Sequence, residues 1–528
     1  MLLRWCVVGE LSAPTVLIGV DKGTSSIKTI AVDAFSGELL AESGCPTPSV
    51  RAGSDRHEEE CEKTWQTTAA TIADVVGRLP RDTQYLGVGV TGHMGGLWAL
   101  DDEGTAVGNA ICWPDARATD VLDDVIGRDA EGVLYALGGN AMIPGMPYPL
   151  LAWMKEHDPE RYARISTVFM AKDYINYRLT GVISTEESDL SFWPCDLARR
   201  TTSDIIFDAF GIPEAVRFVA PVRPSAAVLG RVTADAAALT GLPVGTAVAA
   251  GCGDATANMI GIGAQGDGQA TTTLGTSLMN GTSCAEPLFD PPGIGFSFLM
   301  PDGRWQRQIT NSGGGTLCLD WVVQTFCGDL SSDIRNGTTT FGSVVEQAAA
   351  ATHPGNGGVI FHPYLNTAGA TAPFVNVQAR GSFVGFGPET TSDQLIRAVL
   401  EGTALAIRDC YEAMPTDITE IRLTGGGARS AAWCQVIADV MQKQMVVPDV
   451  AESGALGAAM LAGVAVDHYR DLTHATTTLV RDGAVYDPDP TTASTYDDMF
   501  ATYRALLQPL APAWARQFAF SHSHKENQ

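Results

Sequence analysis

The chain has 528 residues, with 34 Lys and Arg against 60 Asp and Glu and a net charge of −26. That length exceeds what one ordinary core organises, so two large domains with a cleft between them are expected. The charge excludes a nucleic-acid backbone or an anionic membrane as the main partner, and any bound phosphate has to be held locally by backbone N–H groups, a few cations or a metal.

The eleven cysteines include no C-x-x-C pair, which fits a reducing cytoplasm better than a disulfide framework. The opening "MLLRWCVVGELSAP" holds an apolar run too short for a signal peptide and reads as a ragged extension. The first elements are "TVLIGVD", "IKTIAVD" and "ELLAES", an antiparallel meander of strands with a turn at Gly37. A helix from Cys61 to Val76 follows, then a strand running into a glycine turn, "LGVGVTGHMGG", and the segments "LWALDDEG" and "AICWPDARA".

The second half repeats this order. "GQATTTLGTSLMNGTS" puts a strand before Gly275-Thr276-Ser277, and "EIRLTGGGARS" echoes "GVGVTGHMGG". In "AAWCQVIADVMQ", Trp433, Val436, Ile437, Val440 and Met441 recur with helical period, and Ser430 is placed to cap that helix. The repeat predicts two related α/β domains, 15–264 and 265–510, joined by a short hinge near Gly263 to Gly268. No stretch is long and apolar enough to span a bilayer, and the tail "SHSHKENQ" is expected to be unstructured, with both histidines solvated.

The turns carry the chemistry. In "VLIGVDKGTSSIK" a buried strand ends in Asp21 and passes at once into Gly23, Thr24, Ser25 and Ser26, residues that offer N–H groups and hydroxyls to an anion. A second such turn, "LGTS", lies in the second half, so two turns from separate domains could grip a polyphosphate. No Gly-Lys dipeptide occurs, which excludes a Walker-A loop, and no G-x-G-x-x-G opens a strand–helix unit in the dinucleotide manner. A carboxylate beside a triphosphate needs a divalent cation between them, so Asp21 is read as a Mg2+ ligand, against the plainer reading of a turn-initiating aspartate. Lys22 and Lys28 are candidate phosphate contacts, against solvated surface lysines. Asp254, in "AGCGDATAN", is the candidate base for phosphoryl transfer to an alcohol, against an aspartate that only caps the next helix.

With these residues in order, the chain resembles the FGGY carbohydrate kinase family, from about Thr15 to about Val466. The matching segments are "DKGTSSIK", "WPDARA", Lys172 to Gly181, Gly251 to Asp254, "LGTS" and "TGGGARS". The resemblance implies two actin/hexokinase-like (ribonuclease H-like) α/β domains with a nucleotide and sugar cleft between them, an ATP- and Mg2+-dependent reaction, and a small sugar or polyol as acceptor in the cytoplasm. It also implies positions. Gly23, Thr24, Ser25, Lys28, Gly275, Thr276, Gly314, Gly426 and Gly427 would face the nucleotide, and Asp21 the metal. Asp254 would face the reacting hydroxyl, with His93, Met94, Trp113 and Asp115 around the sugar. Taken alone, Trp113 reads as a core residue and His93 as a satisfied structural histidine; their position within a matching motif is what raises them as sugar contacts.

Family members often dimerise, so a homodimer is the assembly the resemblance allows. D-xylulose kinases usually carry a histidine where this chain has Gly95 and an amide where it has Ala255. The second half, with "FHPYLNTAGATAPF" and "RAVLEGTALAIRDCYEAM", is more similar to erythritol and L-xylulose kinases. The expected activity is therefore phosphorylation of a terminal hydroxyl of erythritol, L-xylulose or a related pentitol or pentulose. The alternatives are a D-xylulokinase, and a catalytically silent sugar-responsive binding protein on the same fold.

Overall fold

A computed structural model describes residues 13–129 and 132–525; most of the N-terminal extension, residues 1–12, lies outside the described residues. Among those described, two seven-stranded sheets dominate. In the first, Thr15–Lys22, Ser26–Asp33 and Leu39–Pro46 form the expected antiparallel meander. Gln84–Gly92 and then Ala247–Ala249 continue it in parallel on the other side of Thr15–Lys22. Val16, Leu17, Ile18 and Val20 are fully buried. An unbroken apolar run is what a strand covered on both faces requires.

The second sheet repeats the pattern. Gln269–Leu274, Leu278–Cys284 and Trp305–Asn311 are antiparallel, and Glu420–Thr424 and Gln444–Pro448 run parallel on the far side of Gln269–Leu274. In each sheet the strands therefore lie in the order third, second, first, fourth, fifth, with the strand Phe296–Leu299 added at the edge of the second. The helix Ala431–Met441 has Ser430 as its cap, the Ser430 hydroxyl accepting from Trp433 N at 3.2 Å. A short 3-10 turn, Gly426–Arg429, separates it from the preceding strand.

One helix joins the two halves. Ser453–Ala465, "SGALGAAMLAGVA", follows the second sheet in the chain but lies on the first, against Thr15–Lys22, Gln84–Gly92 and the helix Asp254–Gly261. Gly19 and Gly89 are register partners in adjacent strands. A Cβ at Gly19 would lie 1.9 Å from Ala455 O, and one at Gly89 would lie 1.9 Å from Ala458 O. The paired glycines let helix backbone rest directly on sheet backbone, and this contact carries residues 452–454 to the end of the first strand.

The C-terminal helix Ala493–Lys525 continues into the segment expected to be unstructured. The tail expectation is corrected as far as Lys525, and the last three residues lie outside the described ones. No helix among the described residues is long and apolar enough to cross a membrane.

Candidate active site

A cavity of about 550 Å³ opens between the two sheets. From the first half it is lined by Asp21, Thr24, Lys28, His93, Met94, Trp113 and Asp254. From the second it is lined by Thr271, Thr273, Thr424, Gly425 and residues 450–454, among others. Strand ends explain the convergence: Asp21 stands beside Thr91 in the parallel pair, two residues before His93, and Cys252–Gly253 pairs with the end of the same strand, Gln84–Gly92. The side chains after three neighbouring strands therefore meet at one edge of the sheet.

Asp254 is the first residue of the helix Asp254–Gly261, and its Oδ1 accepts from Ala255 N at 2.8 Å. It thus has the local helix-start geometry of the plainer reading and faces the cavity as well. Burial pushes its pKa up to about 6, against backbone N–H groups that favour the carboxylate. At Asp21 burial, and after it the Asp254 charge, push the pKa up to about 7. Asp21 Oδ1 is a buried oxygen with no hydrogen-bond partner among the described residues. Beside it a Cβ on Gly454 would come within 2.5 Å of Asp21 Oδ2, so only glycine leaves that space open. Ser453 Oγ donates to Asn258 Oδ1 at 2.6 Å in the same corner. An unpartnered carboxylate oxygen, an amide oxygen and a hydroxyl form a hard-oxygen donor set, which fits Mg2+.

Lys22 does not line the cavity. It is fully buried, its ammonium 2.6 Å from Glu59 Oε1 and 3.1 Å from His93 Nε2. An ammonium can only donate, so His93 Nε2 accepts and the ring proton sits on Nδ1, an atom with no partner among the described residues. Burial and then Lys22 hold the His93 pKa down, at about 4. His93 is thus a neutral ring with one unused N–H in the cavity wall. Lys28 lines the cavity, but its ammonium pairs with both oxygens of Glu452 at 2.9 and 2.7 Å, across the two halves.

Trp113 is 40% exposed and donates its indole N–H to Thr24 Oγ1 at 2.8 Å, so it belongs to the wall and not to the core. Asp115 does not line the cavity. Its carboxylate accepts from Arg117 Nε at 2.7 Å, Arg117 Nη2 at 2.8 Å and His57 N at 2.8 Å, which uses it to fold the loop carrying Trp113. At Gly95, φ is +80°, and an added Cβ would lie 3.1 Å from Trp113 Cβ and 3.3 Å from the Phe192 ring. A side chain at this position would be strained by that φ and pressed against Trp113 and Phe192.

The remaining nucleotide candidates form two patches next to the cavity. Gly23 and Ser25 belong to a turn closed by Gly23 N to Ser26 O at 3.0 Å, with Thr47 N on Ser25 O at 3.0 Å. Gly275 and Thr276 are stapled to the glycine run before the helix Thr316–Phe326: Gly315 N donates to Thr276 O at 3.1 Å and Thr316 N to Gly275 O at 2.8 Å. Gly314 lies in that run, where a Cβ would come within 2.7 Å of Asn311. Gly425 lines the cavity and Gly426 is exposed beside it, whereas Gly427 is buried under Leu274 and Trp433, its missing side chain used for packing.

Beneath Asp254 lies a buried charge cluster. Lys172 Nζ is 2.5 Å from Asp173 Oδ1, 2.6 Å from Asp189 Oδ2 and 3.3 Å from Glu186 Oε1. Burial, with Asp173 and Glu186 close by and the Lys172 ammonium opposing them, holds the Asp189 carboxyl above the usual range. Ser188 Oγ donates to Glu186 Oε1 at 2.6 Å and accepts from Gly253 N at 2.8 Å, which ties the cluster to the residue before Asp254.

Sequence reasoning missed Asn258, Glu452, Ser453 and Gly454, and also Phe192, Gln306 and Gln308 on the opposite wall. Alternation in "WQRQITN" signals a strand with one polar face, which is where Gln306 and Gln308 stand. Nothing local signals that residues 452–454 cross to the first sheet.

Residues 16–261 match the N-terminal domain and residues 270–466 the C-terminal domain of the FGGY family of carbohydrate kinases. The chain is 29% identical over 509 residues to an erythritol kinase of Brucella abortus, covering 94% of this chain and 97% of that one. It is 29% identical over 518 residues to the L-xylulose/3-keto-L-gulonate kinase of Escherichia coli, covering 94% and 98%. Among solved structures, the xylulose kinase from Rhodospirillum rubrum superimposes with a TM-score of 0.85 at 27% identity, covering 95% of this chain and all of that one.

Proposed function

Because the chain belongs to the FGGY family of carbohydrate kinases, we propose that this sugar phosphotransferase moves the γ-phosphoryl group of ATP to a terminal hydroxyl of a small uncharged polyol or ketopentose, such as erythritol or L-xylulose. The observation that carries this reading is the meeting of the Asp254 and Asp21 carboxylates with Thr424 and Gly425 in one cavity between two repeated sheets. The lobes are taken as 15–264 and 265–510, with Ser453–Ala465 lying across the boundary.

In this reading the Asp254 carboxylate accepts the proton of the acceptor hydroxyl as its oxygen bonds to the γ-phosphorus and the bond to the bridging oxygen of ADP breaks. The His93 Nδ1–H orients a neighbouring hydroxyl. Asp21, Asn258 and Ser453 would hold Mg2+, which supplies charge neutralisation for the polyphosphate. Glycines 275, 314 and 426 and the hydroxyls of Thr24 and Thr276 would receive the nucleotide.

The charge of the cavity argues for a neutral acceptor. Asp21, Asp254 and Glu452 face Lys28, which Glu452 already holds. An aldonate or keto-aldonate, the kind of anion named for one relative, would meet excess negative charge. The test is acceptor-stimulated ADP release over tetritols, pentitols, ketopentoses and aldonates, with the product position read by NMR. Turnover with a neutral four- or five-carbon acceptor and none with gluconate is expected; D-xylulose as the best acceptor would make the chain a D-xylulokinase, and silence across the panel would remove the reading.

A pH profile tests the base. Asp254 acts only when ionised and its pKa stands at about 6, and Asp21, which has to be ionised to hold the metal, stands at about 7, so log kcat/KM should level off above about pH 8 and fall by at least about tenfold per unit below 6. A flat profile down to pH 5 would take the role of base away from it.

A further inference from the structure

We propose that the edge of the second sheet supplies the specificity-determining wall of the acceptor pocket, with Gln306 and Gln308 hydrogen-bonding vicinal hydroxyls of the acceptor over an aromatic floor of Phe192, Phe296 and Phe298. This rests on the kinase reading for its ligand class and adds residues from the lobe otherwise given only to the nucleotide.

Strands Phe296–Leu299 and Trp305–Asn311 are antiparallel neighbours in which Phe296 faces Gln308 and Phe298 faces Gln306. Directly opposed residues share one face of a sheet, and all four line the cavity. Phe192 comes from the first half and stacks on this face, 5.8 Å from Phe298 with planes 3° apart and 5.5 Å from Phe296. The same Phe192 ring borders Gly95, beside Trp113, so the wall belongs to the sugar end of the cavity.

Gln306 is 1% exposed, and its Oε1 has no hydrogen-bond partner among the described residues. Its Nε2 donates to Gln308 Oε1 at 3.3 Å. The pair therefore presents one carbonyl acceptor, from Gln306, and one amide donor, from Gln308. A buried carbonyl without a partner loses its hydration and gains nothing in exchange; a hydroxyl group of a ligand restores the bond. Adjacent hydroxyls on a short carbon chain can accept from one amide and donate to the other while the C–H face rests on aromatic rings. Nothing in this wall carries charge, which suits a neutral polyol or ketose.

The experiment is calorimetric titration of the full chain and of Gln306→Leu and Gln308→Leu with erythritol, xylitol, D-xylulose and L-xylulose, with and without ADP. ADP affinity and thermal melting report on the fold. At least one acceptor should bind the unaltered chain, and each substitution should weaken it about tenfold or more, with ADP affinity unchanged. Gln308 is only half-buried, so Gln308→Leu keeps the test open should Gln306→Leu fold poorly. Equal acceptor affinity in both variants overturns the proposal and leaves the kinase reading standing. Parallel loss of ADP affinity in both assigns the residues to structure and also overturns it, as does the absence of binding by all four acceptors. Binding with the expected losses, but no ADP release from ATP, would instead sink the kinase reading and keep this wall.

Discussion

Replacing Asp254 with asparagine lowers kcat by a factor of about 10² to 10⁴ and leaves nucleotide affinity near that of the unaltered chain. Asparagine keeps the size of the side chain and can still accept from Ala255 N through its carbonyl oxygen, so the start of the helix Asp254–Gly261 survives. What disappears is an oxygen able to take a proton. Phosphoryl transfer depends mainly on alignment and charge neutralisation, so the loss is partial and falls on kcat. The measurement is steady-state turnover beside an independent nucleotide titration. Acceptor-dependent turnover equal to that of the unaltered chain would end the assignment of Asp254 as the base.

Lys172→Met destabilises the protein by about 3 to 5 kcal/mol, the cost of leaving buried charge without its partner. Lys172 is fully buried and is the cation facing Asp173, Glu186 and Asp189 in that cluster. Methionine matches its length and apolar stem but leaves the carboxyl groups of Asp173, Glu186 and Asp189 facing each other out of water without the ammonium between them. The strain reaches the site, because Glu186 holds Ser188 and Ser188 holds Gly253 N. Denaturant unfolding should show a lower midpoint with an unchanged slope, and the folded fraction should turn over more slowly. A variant as stable as the parent would mean that the cluster is already neutral and that Lys172 contributes little.

Much of the architecture was legible because strand order follows local signals. "TVLIGVD" and "IKTIAVD" are separated by a short glycine and hydroxyl turn, and the same signature returns at "TTTLGTSLMNG", so the repeat of two sheets could be read without coordinates. Ser430 announced its helix for the same reason, since a cap acts within three residues. Lys22 shows where local reading fails. Next to Lys28 in a polar turn it looked equally free, yet the pleat sends it inward to Glu59 while Lys28 faces the cleft. Asp115 likewise sat in a sugar-facing motif, while its carboxylate is bonded to Arg117 and to the backbone of His57, 58 residues away.

By itself the sequence determined the class of fold, the doubled strand pattern, the two acids of the cleft and the turns around them, because each depends on interactions within a few residues. Tertiary structure alone decided which of those groups share a cavity, which are spent on internal ion pairs, and that residues 452–454 and the strand edge at Gln306 and Gln308 complete it. The physical reason is that burial and pairing are set by whatever packs against a residue from elsewhere in the chain. The glycines at 19 and 89 do their work only because a helix that begins some 360 residues after the second of them is laid on top of them.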